Sequence, residues 1–384
     1  MRMHEVSSFS AVSAGTSSSQ ISHIESKKTI HDHKLMRATR AFHILSGCGS
    51  ILQNSRGSTK SWSKSEQVKS IDEFLSHTWT TPRWIKFLVL ALRFNYGVVV
   101  SLTTIVCIIV FALSVTEVIP RMETPGGSYS FRCWYGKMFV FPTMLLSLFL
   151  GHDIKRIFGV LGKKVFLDKT CIHQTDEKLK QLGIASLGAF LANSKGMTVV
   201  FSNDYLNRLW TVYELASLLM LNPDAKLVMI PVFLPKFILL AATLGWLGNW
   251  VLEVSLISYG GTPVQVIVAS CYSALTFCVI FTGTEICARS RARVLRDVET
   301  FDIRKAKCCE EKDRAYVHDN IRNFLLELGY ISNESNDDTA LVTFNTIVHQ
   351  CAPIALKRTF GRLGLRYRYL ILCAFGSLGH QGSE

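Results

Sequence analysis

Long apolar stretches alternate with soluble-looking ones along this chain. A membrane-spanning helix needs about 20 predominantly apolar residues, and four stretches answer to that: 96–119, 137–158, 236–258 and 264–288. Between the second and third lies 163–232, which reads strand, polar loop, helix, strand, amphipathic helix, strand. The run 164–168 is apolar and ends at Asp168. Asp176 is placed to cap a helix reaching about Ala192, with Leu179, Leu182, Leu187, Phe190 and Leu191 as its stripe. A buried strand follows at 197–201, then a helix at 208–220, then a strand at 226–233. Upstream, 74–79 reads as a further strand edge. Strands alternating with helices imply a parallel sheet with right-handed crossovers. The chain therefore reads as one α/β domain interrupted by apolar hairpins.

The links within each apolar pair, 120–136 and 259–263, are short enough for hairpins. Arg83, Lys86 and Arg93 precede the first pair. Lys155, Arg156, Lys163 and Lys164 follow its second member, and Arg289, Arg291, Arg293 and Arg296 follow the last stretch. Positive flanks of this kind mark the cytoplasmic side. Four spans then leave every soluble piece on that side of a bilayer whose identity the chain does not reveal, with Cys133 in an exterior loop. The composition, 48% apolar with a net charge of +13, fits this assignment, and the charge is read as membrane flanking rather than as a nucleic-acid surface. The implied divisions are a disordered basic tail (1–67), a first domain piece with the first strand (68–84), hairpin one (85–158), the central strands (159–233), hairpin two (234–288), a C-terminal domain piece (289–330) and a helical extension (331–384). The eleven cysteines show no disulfide or zinc spacing. No cofactor is expected.

In open α/β sheets, ligands sit beyond the carboxyl ends of the strands. Ser76, His77, Asp168, Lys169 and Ser202 all fall there, which makes that edge the expected site. At this point the residues resemble a known family. Asp72-x-Phe74-Leu75-Ser76 resembles the first box of Toll/interleukin-1 receptor (TIR) domains. Val165-Phe166-Leu167-Asp168 looks like their second strand, and Thr198-Val199-Val200-Phe201-Ser202 followed by Tyr205 like the third. Leu209-Trp210-x-x-x-Glu214-Leu215 resembles the Trp-Cys-x-x-Glu-Leu helix of plant-type members, with Thr211 at the Cys position, and Ile230-Pro231-Val232-Phe233 looks like the fourth strand. The loop Asp168-x-x-Cys171-Ile172-x-Gln174-x-Asp176 also resembles the fungal heterokaryon-incompatibility domain.

The resemblance implies a flavodoxin-like, TIR-type parallel sheet interrupted by two transmembrane hairpins, with 301–306 as its fifth strand and 310–328 as its last helix. It implies self-association through the TIR-like domain and signalling from a multi-pass membrane protein. It also implies NAD as substrate, cleaved at the nicotinamide glycosidic bond. Glu214 would be the catalytic carboxylate, since such a group stabilises an oxocarbenium-like ribose. Ser76, His77 and Trp79 would line the nicotinamide side, Asp168 and Lys169 the entrance, and Trp210 a stacking position. Glu214 also reads as a solvated helix carboxylate, Asp168 as a loop cap and Trp210 as core. The alternatives at the level of the whole chain are a non-catalytic adaptor and a channel or transporter. The last rests on Glu253, an acid inside an apolar stretch.

Overall fold

Strands that are apolar on both faces belong inside a sheet covered on both sides, and this chain builds one. The computed structural model describes residues 35–119, 134–222, 225–259, 262–308, 311–360 and 368–377. The strands are β1 (Arg37–Arg40), β2 (Ser65–Gln67), β3 (Glu73–Ser76), β4 (Lys164–Phe166), β5 (Gly196–Phe201) and β6 (Lys226–Pro231). They form one sheet in the order β2-β1-β4-β3-β5-β6. From β4 to β6 every pairing is parallel, and β1 runs antiparallel to both of its neighbours.

The helices are α1 (Ala41–Gly49), α2 (Arg83–Phe94), α3 (Tyr96–Val115), α4 (Trp134–Ile157), α5 (Glu177–Ala185), α6 (Leu187–Ala192), α7 (Leu209–Leu221), α8 (Leu234–Tyr259), α9 (Pro263–Glu299), α10 (Glu311–Glu327), α11 (Asp337–Phe360) and α12 (Arg368–Ser377). Successive strand residues alternate between two cores. Phe74, Phe166, Met197 and Val199 pack with α6, α7, α10 and α11. Leu75, Val165, Val200 and Val228 pack with α1, α2 and buried residues of α4, α8 and α12. Phe74 and Phe166 are register partners and their rings stack 4.5 Å apart.

Five of these helices contain segments long and apolar enough to cross a membrane: Tyr96–Val115, Tyr135–Ile157, Leu234–Ser255, Pro263–Glu299 and Asp337–Lys357. The first four are tied together by polar contacts. Asn95 Nδ2 donates to the Leu148 carbonyl at 2.9 Å. Trp246 Nε1 donates to the Lys137 carbonyl at 2.7 Å, and the Tyr272 hydroxyl to that of Leu244 at 2.5 Å. Lys137 and Glu253 form a buried ion pair.

Several expectations need correcting. The tail assigned to 1–67 is structured from residue 37 onward, where β1, α1 and β2 lie; residues 1–34 are outside the described part. The serine-rich composition hides a short edge strand, and Ile44, Leu45 and Leu52 bury fully behind it. The fifth strand expected at 301–306 is a single 3-10 turn, Ile303–Lys305. There the Asp302 carboxylate accepts from the Arg304 amide at 3.2 Å and Asn345 Oδ1 accepts from the Ile303 amide at 3.0 Å, and the chain then makes an isolated parallel bridge, Lys307 to Arg208, outside the sheet. The helix from Asp176 breaks at Ser186 into α5 and α6; Asp176 caps it as expected, accepting from the Leu179 amide at 3.1 Å. Two of the three flanking cations before the first hairpin point inward: Lys86 is fully buried, and Arg93 pairs with buried Glu73. Cys133 and the exterior loop around it lie outside the described residues.

Gly196 opens β5 where a Cβ would meet the Lys226 carbonyl oxygen at 2.5 Å. That atom is backbone and cannot swing aside. Gly196→Ala should therefore part β5 from β6 and cost about 1–3 kcal/mol, seen as a lowered unfolding midpoint in detergent; an unchanged midpoint would contradict the packing of this edge.

Candidate functional site

The carboxyl ends of β3, β4 and β5 and one turn of α7 converge on a polar cluster. Ser76 closes β3 with its side chain buried. Its Oγ donates to Glu214 Oε2 at 2.5 Å and lies 2.7 Å from the Tyr205 hydroxyl. Tyr205 sits in the 3-10 turn that follows β5. Thr211 fixes that turn to α7, its hydroxyl donating to the carbonyls of Tyr205 and Arg208. Glu214 lies one turn further along α7, so the helix start and the strand end together aim it at Ser76. Thr78 Oγ1 bridges to Thr81 at 2.8 Å and to Ser202 at 3.2 Å, tying the loop after β3 to the end of β5.

The second half of the cluster surrounds Asp168. Trp79 Nε1 donates to Asp168 Oδ2 at 3.1 Å, and the Lys169 amide donates to Oδ1 at 2.7 Å. The Lys86 ammonium lies over the Trp79 ring, 4.6 Å from its centroid. His77 meets the same ring edge-on at 4.5 Å. Lys86 Nζ and His77 Nε2 are buried without a hydrogen-bond partner, an arrangement that native interiors rarely tolerate.

Burial dominates the electrostatics here. It pushes the Glu214 carboxyl up to about 8; the Ser76 hydrogen bond opposes this and the nearby charge of Asp168 adds to it. It drops Lys86 to about 8, against the pull of Asp168 and with repulsion from Lys169. It drops His77 to about 3, with Lys86 repelling its charged form. Asp168 is raised by burial, although four donors or cations oppose the shift. At neutral pH the cluster thus holds a protonated Glu214, a neutral imidazole and a lysine close to titration. Such displaced groups gathered at a strand-end edge mark a candidate site.

Seven residues expected at the site from the sequence lie in or beside this cluster: Ser76, His77, Trp79, Asp168, Lys169, Ser202 and Glu214. Lys169 contributes its backbone amide, and its ammonium, 5.8 Å from the Trp79 ring centroid, donates to the carbonyls of Ile51 (3.1 Å) and Asn54 (2.8 Å). It therefore joins the cluster to the segment that follows α1. Trp210 lies elsewhere: its indole donates to Asp313 Oδ2 at 3.1 Å and packs near Tyr213 and Tyr316, so it joins α7 to α10. Lys86 and Tyr205 were missed as site residues. Lys86 resembled a membrane-flanking charge; the available signal was its place in an otherwise apolar run, 84–92. In the loop 168–176, Cys171 is buried and its thiol is pushed up to about 11, while Gln174 Nε2 donates to the Ile172 carbonyl at 3.1 Å. Both serve the loop's own structure.

Comparison with known families decides what this segment is similar to. Residues 156–238 match the TIR domain. The match covers a little over a fifth of the chain. It includes β4 to β6 and α7, and with them Asp168, Lys169 and Glu214; Ser76, His77 and Trp79 lie upstream of it. No curated protein and no solved structure matches the chain.

The raised Glu214 sets a direction for the pH dependence of this TIR-like segment. Between its ordinary value of 4.5 and about 8, the unfolded chain has lost the proton and the folded chain keeps it. Stability therefore falls as pH rises through this window, with a slope of at most about 1.4 kcal/mol per pH unit, and the cost is complete above it. Unfolding midpoints measured from pH 5 to 8 should decline less steeply in Glu214→Gln. Parallel curves would show that Glu214 is not held protonated.

Proposed function

We propose that the chain is a membrane-anchored signalling protein whose cytoplasmic TIR-like domain hydrolyses NAD at the nicotinamide glycosidic bond when it self-associates. The observation that carries this reading is the Ser76–Glu214 hydrogen bond at the carboxyl edge of the sheet, with Glu214 inside the residues that match the TIR domain and Ser76 upstream of them. TIR domains commonly self-associate by homotypic contact, which supports self-association as the trigger.

The four parallel strands in the order β4-β3-β5-β6 support a flavodoxin-like, TIR-type sheet, with β1 and β2 added at one edge. We read four spans rather than five. Of the five candidates, α11 buries Phe344, Val348, Ala352 and Leu356 in the core of the α/β domain, which favours a place beside the sheet. The NAD-cleaving chemistry needs little of the protein beyond placement and charge. As the bond from the ribose anomeric carbon to the ring nitrogen breaks, its electron pair goes to nicotinamide and positive charge grows on the ribose. A carboxylate next to that carbon stabilises the charge and orients the hydroxyls. Water then adds to the anomeric carbon and releases a proton. Glu214 rests protonated; a cationic pyridinium beside it favours its ionised form, so substrate binding would release its proton to bulk water and leave the carboxylate that the reaction needs. Ser76 would hold its orientation, and Lys86 with Asp168 would flank the nicotinamide side.

A second reading, a non-catalytic adaptor acting by homotypic contact, draws support from the closure of the cluster, where Ser76, His77 and Thr78 are all buried. The channel reading loses its motive, because Lys137 supplies Glu253 with a structural partner.

The test is NAD turnover by the purified full chain, free and forced to oligomerise. Turnover is expected on oligomerisation, with a loss of at least about 100-fold in Glu214→Gln, the size seen when a charge-stabilising group is removed. Absence of turnover in the parent chain would leave the adaptor. Turnover undiminished in the variant would remove Glu214 from the reaction.

A further inference from the structure

The amino edge of the sheet, opposite Glu214, carries a different surface. An open groove of about 340 Å³ is lined by Asp72, Glu73, Arg93, Lys163, Lys195 and Lys226 along with two glycines. Four cations face two carboxylates. Glu73 is engaged by Arg93, Lys163 and the Thr198 hydroxyl, and Asp72 by Lys195 at 2.9 Å. The groove therefore keeps an excess of positive charge, and Lys195 and Lys226 stay exposed at its rim.

Beside it, sharing Gly162 and Lys163, runs the loop that follows α4. Ile157 is 80% exposed, Phe158 79%, Val160 52% and Leu161 61%. Gly159 and Gly162 adopt left-handed φ of 70° and 71°, which fold the chain back after the helix and present these side chains outward. Taking a fully exposed side chain of this kind out of water is worth about 1.5–3 kcal/mol, so four exposed apolar residues either side of Gly159 mark an interaction surface. Lys155 and Arg156 precede the run, and Lys163 and Lys164 follow it. A second copy of this chain, itself carrying +13, would bring like charge to that surround. An anionic leaflet brings the opposite charge and an apolar interior, and α4, which ends where the loop begins, is a candidate span.

We propose that the loop 157–161 inserts into the interface of the bilayer and that the adjoining groove binds the headgroup of an anionic phospholipid. The proposal rests on the membrane reading above. It adds a lipid class and a binding site to that reading, and it gives the amino edge of the sheet a role separate from the carboxyl edge.

The experiment follows thermal unfolding of the full chain in neutral detergent with three probes: dioctanoyl phosphatidylinositol 4-phosphate, dioctanoyl phosphatidylcholine and free inositol 1,4-bisphosphate. The anionic lipid is expected to raise the midpoint by about 3 °C or more and phosphatidylcholine to leave it unchanged. Lys195→Gln with Lys226→Gln, both at exposed positions, should weaken the response at least threefold while unfolding normally without lipid. Phe158→Ser with Leu161→Ser should weaken the response to the lipid only. Equal shifts with phosphatidylcholine, or a full response in the lysine variant, would overturn the proposal. A free bisphosphate as effective as the lipid would make the ligand a soluble phosphate and overturn its lipid source. Alkaline extraction of native membranes separates the two readings: release of the chain defeats the membrane anchor, whereas retention without lipid preference defeats the groove alone.

Discussion

A parallel sheet must be covered on both faces, because its strands carry apolar side chains in both directions. In this chain that requirement joins the α/β domain to the apolar helices. One face is closed by α6, α7, α10 and α11. The other is closed by α1 and α2, with α4, α8 and α12 packed against them. Leu234, Ile238 and Ala242 of α8 are buried there, as are Val140, Phe141, Met144 and Leu148 of α4. The apolar helices are thus part of the core. Between α1, β5, α4 and α8, all of which it touches, α2 keeps Val89, Leu90 and Ala91 fully buried.

The same covering sets the chemistry of the candidate site. α2 seals the sheet directly after the loop that holds His77 and Trp79, and so carries Lys86 into the interior beside Asp168. Each of these groups would titrate near its ordinary value in water. Enclosed together, Glu214 and Lys86 are brought from opposite sides of neutrality to about 8. The compensation is local: Lys86 and Asp168 offset part of each other's burial, while the backbone amide of Lys169 and the indole of Trp79 hold the carboxylate in place.

How much was legible in the sequence follows from which residues speak for themselves. The apolar runs of β4, β5 and β6 are unambiguous, because parallel strands covered on both faces bury nearly every position. Asp168 and Glu214 were recognisable from their places at a strand end and after the helix-opening Trp210. β1 was not, since Arg37-Ala38-Thr39-Arg40 has only two inward side chains and sits in a serine-rich surround. Lys86 was misread for a physical reason: a cation beside an apolar stretch has one common explanation, the membrane surface, and its burial depends on Trp79 and Asp168, the latter far away in sequence. Trp210 read both as a stacking position and as core, because a helix-start tryptophan shows nothing of its partner, and that partner, Asp313, lies about a hundred residues on.

The position of α2 gives the architecture its internal logic. At its first turns, Lys86 touches Trp79 and the field of Asp168. At its end, Arg93 closes on Glu73 at the amino edge of the sheet, and Asn95 holds the Leu148 carbonyl of α4. A single buried helix of twelve residues therefore connects the candidate site, the basic groove and the first apolar hairpin. The α4 contact at Leu148 and Lys86, whose ammonium is buried without a hydrogen bond, lie toward opposite ends of one helix. The separation of the site from the hairpins along the sequence thus disappears in the fold, where one helix spans the distance between them.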